Sequence, residues 1–178
     1  MKPRLLLLSD LWGKSKSAWK SLYLDVLATE FDIQYYDCCV LGKINTTDIK
    51  EEVLHTQYVN HGIETAVENL LKLETGTIDI LAFSIGGSIA WKAGIRGLKI
   101  RNLYAVSSTR LRFETETPDC SINLWYGEKD SFRPNSKWLK KLKIDCKIEK
   151  AGDHLIYTDK DFSERVCEKI IENHKSKF

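Results

Sequence analysis

Charge of one sign is missing from this chain: 27 Lys and Arg stand against 25 Asp and Glu in 178 residues, a formal net charge of +2. A balance so close to neutral, with the signs mixed along most of the sequence, lacks the electrostatic footprint of a nucleic-acid binder. No nucleic-acid partner is expected. Long apolar runs are missing too. The start Met1-Lys2-Pro3-Arg4 precedes only four leucines before Ser9-Asp10, which is shorter than a secretory apolar core and far too short to span a bilayer. A cytoplasmic protein with no membrane partner is therefore expected, and residues 5–8 read as a first, central strand. Cysteines are unframed: the five at 38, 39, 120, 146 and 167 are an odd set without compact spacing, and none pairs with histidine at metal-ligand spacing. Reduced thiols and no metal are expected. Linkers rich in proline, glycine or serine are absent, as are internal repeats, so the length predicts a single domain over 1–178.

What is present alternates. Stretches at 5–8, 31–37, 78–83, 100–107, 121–126 and 146–149 read as six strands. Helical patterns lie between them, at 17–28, about 47–58, 63–73, from 87 to 92, 135–142 and 159–174. Ile63, Val67, Leu70 and Leu71 recur every three or four residues as an apolar stripe. Asn45 with Asp48, and Thr158 with Asp161, suggest capped helix starts. Such alternation predicts an α/β fold, a three-layer α/β/α sandwich around a mainly parallel six-stranded sheet. Right-handed crossovers then gather the loops that leave the strands along one edge. The basic stretch 137–143 alternates lysine with apolar residues and reads as a solvated helix face.

On that edge stands Ala82-Phe83-Ser84-Ile85-Gly86, where an apolar strand meets a helix. The sharp turn puts the Ser84 hydroxyl in the open, and small residues two positions to either side let strand and helix approach closely. A hydroxyl is a weak nucleophile until a base takes its proton. Of four histidines, His55 lies in a charged helix, His61 precedes a helix and His174 trails from the last one, whereas His154 follows the last strand on the same edge as Ser84. An acid must orient that base; Asp130, just past the fifth strand, is the choice, with Glu128 its rival and Asp153 too close to His154 to bend back. The backbone N–H of Ile85 is one expected oxyanion donor. The loop Ser9-Asp10-Leu11-Trp12-Gly13 supplies the second, from Leu11 or Trp12, and Trp12 is a candidate wall for substrate.

The order Ser84, Asp130, His154 at successive strand ends resembles the α/β-hydrolase family, with 5–10 similar to its strand into the oxyanion loop and 82–86 similar to its nucleophile elbow. Gly127-Glu128-Lys129-Asp130 resembles the family's acid turn and Gly152-Asp153-His154 its histidine loop. The likeness covers nearly the whole chain and implies a minimal serine hydrolase of esterase or thioesterase type, acting on a small acyl compound without metal or organic cofactor. Alanine stands at 82 where the elbow motif has glycine, and no His-Gly marks the oxyanion loop. Many members insert a lid before the acid; here only 108–119 intervenes, so a lidless site is expected. Arg110 and Arg112 on that stretch could meet a substrate carboxylate or phosphate. Acyl transfer, or a non-catalytic interaction module on the same scaffold, are the alternatives. A Rossmann cofactor protein is disfavoured because no Gly-x-Gly-x-x-Gly follows the first strand.

Overall fold

Consecutive apolar side chains are all buried only when a strand is covered on both faces, and the central strands of this chain are of that kind. The computed structural model describes residues 2–176. Its strands are β1 (Arg4–Leu8), β2 (Asp32–Tyr36), β3 (Ile78–Phe83), β4 (Ile100–Val106), β5 (Ser121–Gly127) and β6 (Cys146–Glu149). They form one sheet in the order β2-β1-β3-β4-β5-β6, with every neighbouring pair parallel. The two-residue strand period divides the core in two. Leu6, Leu8, Ile80, Ala82, Leu103 and Ala105 face one layer, while Leu5, Leu7, Leu81, Phe83, Tyr104 and Val106 face the other.

The first layer holds α2 (Cys38–Leu41), α3 (Glu51–Gln57), α4 (Ile63–Leu73), α5 (Ile85–Ile95) and α6 (Ser136–Leu142). The second holds α1 (Ser21–Leu27) and α7 (Lys160–Lys175). The stripe read at Ile63, Val67 and Leu70 is the buried face of α4, joined by Ala66. Among the described residues no helix is long and apolar enough to cross a membrane.

Several local expectations are corrected. β1 is interior but lies one strand from the β2 edge, because only β2 is laid down beyond it before the chain crosses back to form β3. The helix expected from 87 starts at Ile85, directly after the turn. The pattern at 17–28 opens as a tight turn, Ala18–Lys20, before α1. Asn45 caps no helix: its Oδ1 accepts from Thr47 N at 3.0 Å in a local turn, and α3 begins only at Glu51. The cap of α7 is Asp159, which accepts from Phe162 N at 2.8 Å, one residue past the expected Thr158. The four-residue α2 was not foreseen; Asp37 caps it by accepting from the Cys39 and Val40 N–H groups.

The strand order reverses between β1 and β3. In open parallel sheets the crevice at the carboxyl ends of two such strands is where ligands bind, so topology alone points to the loops after Leu8 and after Phe83.

Candidate active site

Ser84 is the single residue between β3 and α5, with φ 49° and ψ −118°. A non-glycine residue held there costs about 1–3 kcal/mol. Backbone bonds hold it in place. Its N–H donates to Val106 O at 3.0 Å, and its carbonyl accepts from Gly87 N at 3.1 Å and Thr109 N at 3.3 Å. The close approach also depends on two glycines: a Cβ at Gly86 would strike the Ser9 carbonyl, and one at Gly87 the Ser108 side chain.

The other two residues reach Ser84 from neighbouring strand ends. Ser84 Oγ lies 3.1 Å from His154 Nε2, and His154 Nδ1 lies 2.9 Å from Asp130 Oδ2. With the ring proton on Nδ1 donated to the carboxylate, Nε2 is left to accept from the serine hydroxyl. The Asp130 side chain is 0% exposed, and its second oxygen accepts from Phe132 N at 2.8 Å. Both carboxylate oxygens are thus engaged. The acid turn and the histidine loop are tied together, with Glu128 N donating to Glu149 O at 2.9 Å and Lys129 N to Gly152 O at 2.8 Å. Glu128, the rival acid, accepts instead from Ala151 N at 3.0 Å. Asp153 accepts from Leu155 N at 2.8 Å and shapes its own turn.

For an oxyanion, two donors face no competitor. Among the described residues neither the Ile85 N–H nor the Leu11 N–H has a hydrogen-bond partner, and Ile85 opens a helix whose first N–H groups are left over. The Trp12 N–H, the other expected donor, is taken: it donates to Asp10 Oδ1 at 3.0 Å. The loop that carries Leu11 is braced from beneath, since Cys38 Sγ donates to Ser9 O at 3.1 Å and Cys39 Sγ to Leu11 O at 3.3 Å. Burial raises the Cys38 thiol well above its ordinary range and the Cys39 thiol to about 11. Both are inert braces at neutral pH.

Ser84 and His154 open into a cleft of about 390 Å³. Leu11, Trp12, Trp19, Phe132, Leu155 and Tyr157 give it an apolar, largely aromatic lining. Trp12 therefore stands where a wall residue was expected, with Lys16 Nζ 3.4 Å from its ring centroid. Arg110 and Arg112 do not line the cleft. Arg110, in a left-handed turn at φ 66°, stacks on Phe113. Arg112 donates to Phe132 O at 3.2 Å from behind the wall. Sequence reading missed Lys16, Glu51 and His55, which line the mouth. Glu51 and His55 come from α3, in the crossover after β2, and Thr109, after β4, lines the cleft as well. A charged helix packed beside a strand edge was the available signal. Among the described residues no group of three or more His, Cys, Asp or Glu is placed to hold a metal ion.

The architecture has known counterparts. No protein-family model matches the chain, and no curated protein matches it by sequence. A proposed hydrolase of the alpha/beta superfamily from Xanthomonas campestris superposes with TM-score 0.69 at 14% identity, covering 97% of this chain and 99% of its own. Est1E from Butyrivibrio proteoclasticus gives 0.64 at 13%, covering 96% and 88%. The carboxylesterase CesB from Bacillus subtilis gives 0.64 at 12%, covering 96% and 82%. The fold is that of the α/β hydrolases.

Proposed function

We propose that the protein is a serine hydrolase that cleaves a small ester, thioester or related acyl compound through an acyl-serine intermediate. The reading rests above all on the Ser84–His154–Asp130 relay, whose two bonds run in the order a nucleophile, base and orienting acid require. His154 takes the Ser84 proton as Oγ attacks the carbonyl carbon, and Asp130 holds the imidazolium. The tetrahedral oxyanion accepts from the Ile85 and Leu11 N–H groups; each such donor typically contributes about 3 kcal/mol. His154 then protonates the leaving group, and water repeats the sequence to release the acid. The fold likeness to a carboxylesterase agrees with this chemistry. The apolar cleft suits a short, uncharged acyl group, and no step needs a metal or organic cofactor. Five free cysteines fit a reducing compartment, which supports a cytoplasmic location.

Turnover of a panel of p-nitrophenyl and thioester substrates, from acetyl to octanoyl, tests the reading. Short acyl chains should be preferred, and Ser84→Ala should be inactive on all of them. Folded wild-type protein inert across the panel would move the weight to an interaction module.

A further inference from the structure

Asp10 is used by no step above, although it lines the serine cleft and is only 2% exposed. Both of its oxygens are engaged. Oδ1 accepts from Trp12 N at 3.0 Å, which closes the loop after β1 into a side-chain-bridged turn. Oδ2 accepts from the Tyr157 hydroxyl at 3.1 Å, across 147 residues of sequence. Tyr157 sits in the tight turn Ile156–Thr158 just after His154, and its ring meets the imidazole edge to face at 6.3 Å. One carboxylate thus joins the loop bearing the Leu11 N–H to the loop bearing the base.

We infer that Asp10 is a positioning residue for the hydrolase reaction, a clamp that fixes the Leu11 N–H relative to Ser84 and His154; this rests on the serine-hydrolase reading. The chemistry of the turn supports it. With the Trp12 N–H drawn onto Asp10 Oδ1, the preceding N–H is the one left for an oxyanion. Gly13, at φ 54°, lets the chain turn away, and a Cβ there would collide with Asp37. On the underside the Ser9 and Leu11 carbonyls are held by Cys38 and Cys39. Asp10 supplies the upper hold. A buried carboxylate is a costly way to make two hydrogen bonds, and burial raises Asp10 to about 6 even against the Trp12 and Tyr157 donors. Its other titratable neighbours are His154, Tyr35, Cys38 and Cys39.

The test compares Asp10→Ala, Asp10→Asn and Tyr157→Phe by steady-state kinetics on p-nitrophenyl butyrate and by amide hydrogen exchange over residues 10–13. Asparagine keeps an oxygen for the Trp12 N–H and an amide for the Tyr157 hydroxyl. Asp10→Ala should lower kcat about 10²-fold, as when one oxyanion donor is lost, with KM nearly unchanged. Exchange at Trp12 should become fast. Asp10→Asn should recover most of kcat and all of the protection, and Tyr157→Phe should lose about tenfold in kcat. Should Asp10→Ala fail to fold, Tyr157→Phe still decides. Unchanged kcat and slow exchange in Asp10→Ala would overturn the clamp. So would Asp10→Asn as damaged as Asp10→Ala, since charge and not position would then matter. If wild-type protein neither turns over esters nor reacts with a phosphonate, the hydrolase reading has failed, and exchange at Trp12 alone judges the clamp.

Discussion

At the residue scale the account depends on hydrogen bonds whose partners come from distant parts of the chain. Asp130→Asn should preserve the fold but lower kcat by about 10⁴, because an amide cannot hold the imidazole in the tautomer that accepts from serine; circular dichroism beside ester kinetics checks this. Asp10 gives a prediction about stability with a definite sign. Its carboxyl titrates at about 6 when folded against 3.8 in a free chain, so between those values the folded state holds the proton more tightly. Asp10's own contribution to stability is greatest below pH 4 and falls as pH rises to 6, by roughly 3 kcal/mol. Asp10→Asn should therefore melt above wild type at pH 7, with the gap closing below pH 4. A wild-type Tm equal to the variant's at both pH values would contradict it. Asp10 was also the residue least legible beforehand, because its meaning depends on Tyr157 and no spacing rule links them. Ser84, Asp130 and His154 could be read together because each follows a strand that leaves on the same edge.

At the scale of elements, buried apolar runs made β1 and β3 readable almost to the residue, since burial on both faces leaves no other place for Leu5 to Leu8 or Ile78 to Phe83; the half-exposed edge strands β2 and β6 were read from the alternation of strands and helices. Helix starts were harder. Asn45 and Thr158 are good capping residues, but Asn45 spends its oxygen on Thr47, and Asp159 holds Phe162 N at the actual start of α7. Asp159→Ala should cost about 1 kcal/mol in urea unfolding and leave kcat alone. Arg110 and Arg112 stand outside the cleft lining for a local reason. The left-handed turn at Arg110 lays its side chain on Phe113, so Arg110→Ala should treat neutral and carboxylate-bearing esters as wild type does. The elbow itself tolerates no bulk. Gly86→Val should lose most activity by displacing Ser9 and the oxyanion loop, read as a fall in kcat larger than any rise in KM.

Across the whole molecule, the site lies where the strand order reverses, so the same topology that buries two apolar layers leaves a crevice for chemistry. That reversal was not legible: the alternation of strands and helices fixes neither which edge β2 joins nor that β1 ends one strand from it. The part of α3 in the cleft lining was equally hidden, because α3 belongs to the crossover from β2 to β3 and no pattern in the sequence ties it to Ser84. The central claim is that Ser84 is the nucleophile of this cleft. Mass-spectrometric mapping of the residue modified by a fluorophosphonate tests it most directly. The account predicts a single adduct on Ser84 that vanishes in Ser84→Ala and forms far more slowly in His154→Ala; an adduct on Cys38 or Cys39, or an unmodified folded protein, would contradict it.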